Sequence, residues 1–200
     1  MQESYVVTIA RQFGSMGRPI AKKVSEKLGI EFYDRDIVDW TAKSLNLPVS
    51  TVSNEEESAK SAFLNMRYPL GMGTTAMQDS IFATQRDLIV ELADKGPCVF
   101  VGRCADYVLR DRKNIVNVFI YATYEARLHN CVERLNMKPA EAKKMIQAVD
   151  RARESYHKHY CGYSMSDREH KHMLLDSSLL GVEGTCDLLV DVVKRKFSLS

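Results

Sequence analysis

The sequence predicts an α/β fold of three layers, a central five-stranded parallel sheet with helices on both faces. Three observations predict it. Five short apolar runs, several rich in β-branched residues, recur along the 200 residues. Stretches of helical period separate them. The run Cys98-Val99-Phe100-Val101 is apolar throughout, as a strand covered on both faces must be. Strands that alternate with helices pack as a parallel sheet between helical layers.

The elements follow in order. Tyr5–Ala10 is the first strand, and residues 11–18, Arg-Gln-Phe-Gly-Ser-Met-Gly-Arg, form a glycine-containing loop. Ile20, Ala21, Val24 and Leu28 then recur at helical spacing, with Lys22, Lys23, Glu26 and Lys27 between them. Pro19 at the first helical position and Gly29 after the last apolar residue punctuate that helix. Ile30–Tyr33 is the second strand and ends at Asp34. A helix covers Ile37–Leu45 and stops before Pro48. Residues 49–75 change character, with a polar run Ser53–Ser58 and a loop-like stretch from Tyr68 to Thr75, so they are expected to form an insertion or flap. Met77, Ile81, Phe82, Leu88, Ile89 and Leu92 mark a long helix closed by Lys95-Gly96-Pro97. Cys98–Val101 is the third strand and Ile115–Tyr121 the fourth, followed by a helix over Glu125–Leu135. Pro139 opens another helix, which runs into Asp150-Arg151-Ala152-Arg153. Residues 155–172 are rich in His, Tyr and Ser and show no clear period. Met173–Asp176 is the fifth strand, and Val182–Phe197 is a closing helix. There is no repeat, and one domain over residues 1–200 is expected.

Composition narrows the function. Hydrophobic residues are 45% and charged residues 27%, which excludes collagen-like, disordered and disulfide-framework classes. The net charge of +2 gives no bulk argument for nucleic acid or membrane. No stretch reaches the ~18 apolar residues of a membrane span. The first ten residues lack the pattern of a secretory signal. The five cysteines are widely spaced with no CxxC pair, and Cys98, Cys131 and Cys186 sit in apolar-periodic runs as core residues. A reducing cytoplasm is the expected compartment.

The loop after strand one carries the first chemical signal. A glycine turn that leads straight into a helix aims backbone N–H groups and the positive helix end at one point. Glycine keeps side chains away from that point, and Arg18 adds a full charge. A phosphate is the natural occupant; the competing reading is a tight strand-to-helix turn with a solvated Arg18. The pattern differs from GxxxxGK[ST], with Gln12 in place of the first Gly and Arg18-Pro19 in place of Lys-Ser/Thr.

Three blocks then agree, in order, over nearly the whole chain. They are Thr8–Arg18 with Ala21–Lys23 and Glu26–Asp34; Val99-Phe100-Val101-Gly102-Arg103-Cys104-Ala105-Asp106-Tyr107; and His159-Tyr160 with Leu175–Glu183. Together they resemble the cytidylate-kinase-like proteins of bacteria. The resemblance implies a P-loop nucleoside-monophosphate-kinase fold with a helical monophosphate-binding insertion over residues ~46–80 and a lid over residues ~135–170. It implies phosphoryl transfer from ATP with Mg2+ to CMP or dCMP.

The same resemblance distributes roles. Gln12, Gly14, Ser15, Met16, Gly17, Arg18 and Pro19 would form the ATP-phosphate loop. Arg18 would neutralise phosphate at or beside the P-loop Lys position, with Lys22 one turn later on the same helix face. Pro19 offers no hydroxyl for magnesium, so no protein metal ligand is assigned. Asp34 would face the cleft and order magnesium-bound water or the acceptor; its other reading is a helix N-cap. Arg86, Arg103 and Asp106 would meet the acceptor, although Val101 and Cys104 stand where cytidylate kinases flank the Gly-Arg with acids. Arg151 and Arg153 would bring lid charge to the transferring group. The expected catalytic set is thus Arg18, Asp34, Arg151 and Arg153.

His157-Lys158-His159 and His170-Lys171-His172, with Cys161 between them, have i, i+2 spacings unlike those of helical or zinc-finger ligands, so no metal site is expected there. A basic lid segment is. Nucleotides are the expected partners, with neither nucleic acid nor membrane; a homo-oligomer stays open. The leading function is an ATP-dependent (d)CMP-type kinase. Its rivals are a P-loop kinase of another small acceptor and a nucleotide-binding regulator without turnover.

Overall fold

The computed structural model describes residues 4–47, 49, 52 and 75–199. Most of the expected insertion at residues 46–80 lies outside them. Five strands form one sheet: β1 (Val6–Arg11), β2 (Glu31–Tyr33), β3 (Cys98–Val101), β4 (Ile115–Tyr121) and β5 (Met173–Asp176). The order is β2-β3-β1-β4-β5 and every pairing is parallel. All strands therefore end on one side, and their C-terminal loops share one cleft, the usual ligand position in such sheets.

The helices are α1 (Gly17–Leu28), α2 (Arg35–Ser44), α3 (Thr75–Lys95), α4 (Ala105–Val108), α5 (Tyr124–Glu133), α6 (Pro139–Cys161) and α7 (Ser177–Phe197). Alternation along the strands divides the core into two layers. Val7, Ile9, Val99, Val101, Val118 and Ile120 pack with Ile20 and Val24 of α1 and Leu189 and Val193 of α7. Val6, Cys98 and Phe100 point the other way, onto Ile37 of α2, Ile89 and Leu92 of α3, and Ala105 of α4. This is the expected three-layer arrangement. Cys98, Cys131 and Cys186 are fully buried, as their apolar runs predict.

Several boundaries differ from expectation. Helix α1 starts at Gly17, so Pro19 is its third residue rather than its first. The exchange is harmless because first-turn amides have no intrahelical acceptor. Helix α6 runs on to Cys161, so residues 155–161 are helical and Asp150–Arg153 lie within it rather than at its end. Its buried positions include Met145, Ile146, Arg153 and His157. The inward face turns from apolar to Arg and His partway along, and this erases the apolar period. Helix α7 starts at Ser177 and is interrupted by Gly181 at φ 66°.

Gly17 marks the tightest junction. A Cβ there would stand 2.6 Å from Cβ of Arg11, an atom held by the strand itself. Gly17→Ala should cost about 1–3 kcal/mol through overpacking. Chemical denaturation should show a lowered midpoint with an unchanged slope. A variant as stable as the parent would mean that β1 and α1 separate here more easily than their packing indicates.

Candidate active site

The loop from Gln12 to Met16 is braced on several sides. The Ser15 hydroxyl donates to the Gln12 carbonyl at 2.9 Å. The Ser177 hydroxyl, at the start of α7, donates to the Ser15 carbonyl at 2.6 Å. Gly14, at φ 77°, lies against α5, where a Cβ would come within 2.9 Å of the Arg127 carbonyl. Asn130 Nδ2 donates to the Gly14 carbonyl at 2.9 Å. The Phe13 amide donates to Asp150 Oδ1 at 2.7 Å, and Arg127 pairs with the other oxygen of Asp150. The Gln12 side chain accepts from the Ala122 amide at 3.3 Å. Met16 caps α1 in the left-handed region at φ 60° and packs onto the core. Arg127, Asn130, Asp150 and Ser177 are parts of this brace that sequence reasoning missed. No local spacing joins them to the loop, since the contacts span more than a hundred residues.

The loop hands over to α1 at Gly17 and Arg18, whose amides belong to the first helical turn and have no intrahelical acceptor. The backbone here fits a phosphate. A magnesium ion meets no hydroxyl at Pro19, and Asp34 is engaged by Arg18. The first-turn amides with Arg18 therefore fit an anion such as a phosphate, and neither Pro19 nor Asp34 offers a direct magnesium ligand.

Arg18 and Asp34, expected separately, form one ion pair. The Arg18 Nε donates to Asp34 Oδ2; the Arg18 side chain is 46% exposed and that of Asp34 only 1%. Asp34 occupies the N-cap position of α2 but makes no cap hydrogen bond, so its partner is Arg18 rather than the helix. Lys22 is exposed and lies 3.8 Å from Glu26.

Arg103 follows β3 in an unusual turn. Gly102, Arg103 and Cys104 all have positive φ, at 72°, 59° and 54°. Two successive non-glycine residues in that region cost of the order of 1 kcal/mol each or more, and such strain gathers at functional sites. The turn buries the Arg103 side chain at the sheet edge.

Arg86 does not join it. Arg86 is exposed and pairs with its neighbour Asp87 at 2.8 Å. Gln85, one residue earlier, is the buried member of that dipeptide, with Tyr156 Oη 3.4 Å from its side-chain oxygen. On α6 the two expected arginines separate as well. Arg153 is buried, with Nη1 3.4 Å from the Arg11 carbonyl at the end of β1. Arg151 is exposed and lines a cavity of about 310 Å³ with Gln12, Phe119, Asp150, Glu154 and Met165.

Asp106 stands at the centre of a buried polar cluster. Its carboxylate accepts from Lys171 Nζ, lies 3.2 Å from His157 Nε2 and accepts from the Tyr163 hydroxyl at 3.3 Å. Burial opposes its ionisation, but His157 and Lys171 outweigh that and hold its carboxyl well below the usual range. Burial likewise pushes the His157 imidazole down, and Asp106 and Cys161 reverse this and lift it to about 10. A hydrogen bond from Cys104, with His157 close by, lowers the Cys161 thiol to about 6. Tyr160, beside this cluster on α6, stacks on Phe82 of α3 at 4.0 Å.

The family model for the cytidylate kinase-like family matches residues 6–179. The chain belongs to the cytidylate kinase-like family. A solved structure of an uncharacterized protein from Eubacterium ventriosum superposes with a TM-score of 0.73 at 23% identity, covering 95% of this chain and 98% of that one. A shikimate kinase from Acinetobacter baumannii, in complex with shikimate, gives 0.53 at 11% identity, with 98% and 96% covered. A gluconokinase from Sinorhizobium meliloti gives 0.53 at 11% identity, with 100% and 99% covered. At these identities the structures show the fold, that of the P-loop kinases. A search of curated protein sequences returns no match. No helix among the described residues is long and apolar enough to cross a membrane.

Proposed function

We propose that this cytidylate kinase-like protein is an ATP-dependent phosphotransferase whose acceptor is a nucleoside monophosphate of the CMP or dCMP type. The observation that carries the reading is the junction of β1 and α1. Gly17 is pressed onto Arg11, the Gly14–Met16 loop is braced by α5 and α7, and a half-exposed guanidinium stands at the helix start. Preorganised donors of this kind stabilise the charge spread over a transferring phosphoryl group without rearranging in the transition state.

In this reading the loop and Arg18 bind the donor phosphates. Asp34 holds the Arg18 guanidinium and so sets where its charge lies. Arg103, at the end of β3, meets the acceptor phosphate from across the cleft. Arg151, at the cavity beside Gln12, supplies charge from α6, while Arg153 acts from beneath by tying α6 to the end of β1. Magnesium, as in nucleotide kinases generally, would neutralise phosphate charge. The residues of this chain do the positioning: they set donor and acceptor in line and exclude water.

A specific observation favours a second reading. Asp106, the acid nearest to Arg103 in sequence, is consumed by Lys171, His157 and Tyr163. Base reading by that carboxylate therefore has little support, which favours a small-molecule acceptor other than CMP. Shikimate kinase and gluconokinase share the fold, so the fold admits such acceptors.

A coupled ADP-release assay with ATP-magnesium tests both readings against CMP, dCMP, UMP, AMP, GMP, shikimate and gluconate. Turnover highest on CMP or dCMP is expected. Turnover confined to a non-nucleotide acceptor would replace the first reading with the second. Saturable ATP binding in calorimetry with no turnover on any acceptor would leave a nucleotide-binding regulator. With the active acceptor in hand, Arg103→Ala should raise the acceptor KM by roughly 10–100-fold, the worth of one charge-assisted hydrogen bond, and leave the ATP KM nearly unchanged. Equal rises in both would remove Arg103 from the acceptor side.

A further inference from the structure

Outside the phosphate loop, three metal-ligating side chains meet. The ligand atoms of Cys104, His157 and Cys161 all lie within 4.8 Å of one another. They come from two elements: the strained turn after β3 supplies Cys104, and the last two turns of α6 supply His157 and Cys161. From these residues we propose a binding site for zinc, or for another thiophilic divalent cation of its size, held by two thiolates and one imidazole.

Geometry argues for it first. His157 and Cys161 are four residues apart on one helix, so their side chains lie over the same face. The i, i+2 histidine pairs of the sequence conceal this spacing. The His157 Nδ1 lies 3.0 Å from the Tyr163 carbonyl. A carbonyl and a carboxylate both only accept, so with Nε2 3.2 Å from Asp106 both ring nitrogens carry protons, and a metal would take the place of one of them. A backbone carbonyl on the far nitrogen is a common support for a metal-bound imidazole.

Chemistry argues for it second. Two sulfurs and one nitrogen suit zinc, and Cys2His with one open position is a known zinc set. Asp106, 3.2 Å from Nε2 and paired with Lys171, adds a carboxylate to the rim of the cluster. Charge also balances. A divalent ion cancels two thiolates, and Lys171 cancels Asp106, so the loaded cluster is neutral, as a buried site requires. Binding displaces the protons that now lie between these donors.

The backbone argues for it third. Cys104 holds a left-handed conformation that costs energy in a non-glycine residue. The turn that presents the Arg103 side chain also presents this thiol, and a metal there would tie the Arg103 turn to the end of α6. The site is separate from the β1–α1 loop and does not depend on the acceptor assigned above.

Cobalt tests the site without any activity measurement. The full chain, kept reduced and stripped of metal, is titrated with Co2+. One equivalent should give thiolate-to-cobalt charge-transfer absorption and the intense visible bands of four-coordinate cobalt, and Zn2+ should bleach both. Cys161→Ser and Cys104→Ser should each weaken binding at least ~100-fold, since even the loss of an outer-shell partner costs about 10–100-fold. Should Cys104→Ser fail to fold, Cys161→Ser decides alone, since that residue is only half-buried. The absence of charge-transfer absorption overturns the site, as does absorption that persists undiminished in Cys161→Ser.

Discussion

Arg18→Ala should lower ATP-dependent turnover by roughly 10²–10³-fold, the usual cost of removing one preorganised donor to a developing charge. The position explains the size of the effect. Arg18 is the charged side chain carried by the first turn of α1, where backbone amides have no intrahelical acceptor and the proposed donor phosphates would sit. Its Nε is committed to Asp34, which fixes the guanidinium plane. The fold should survive, because the Arg18 side chain is about half exposed and water screens much of the ion pair. Asp34, only 1% exposed, loses its cation, so a stability loss of about 1–3 kcal/mol is expected. Arg18→Lys should recover part of the rate, since a point charge is restored without the planar fork. Steady-state kinetics and thermal melting on the same samples decide the matter. Full activity in the alanine variant would take the donor phosphates away from this loop. Unfolding at ambient temperature would contradict the half-exposed placement of the side chain.

Asp106→Asn should be the most destabilising exchange among the site residues, at about 3–5 kcal/mol. Asparagine keeps the shape and removes the charge. Lys171, whose side chain is fully buried, and His157 then lose the anion that compensates them. Uncompensated buried charge is what makes half of a buried pair expensive to delete. Adding Lys171→Met to Asp106→Asn should recover much of the loss, because the ammonium leaves with its partner. Urea unfolding of the two single variants and the double variant measures this coupling. A loss below about 1 kcal/mol for Asp106→Asn would mean that water reaches the cluster and screens its charges.

Asp106 also shows how little a motif says about a side chain's partners. Beside Gly102-Arg103 in sequence, it reads as an acceptor contact. In the structure the strained turn at Arg103 and Cys104 sends neighbouring side chains to different places, and Asp106 faces Lys171, His157 and Tyr163 from within α4. Gln85 and Arg86 divide in the same way, because adjacent residues on a helix lie about 100° apart and only one can face inward. Arg151 and Arg153 have distinct surroundings on α6 for the same reason.

What the sequence by itself determined is the local and periodic part of this protein. The five strands, the glycine loop that leads into α1, the buried Cys98, Cys131 and Cys186, and membership of the family were all legible, because each rests on contiguous residues or on a period of two or 3.6. The tertiary structure decided whatever joins distant segments. It paired Arg18 with Asp34, braced Gly14 with Asn130, set Asp150 against Phe13, and brought Cys104 to His157 and Cys161. It also carried α6 on to Cys161, where polar residues on the inward face hide the helical period. The physical reason is common to all of these. A residue's neighbours along the chain set its conformation, whereas its charge state and its partners depend on which remote backbone the sheet order brings beside it.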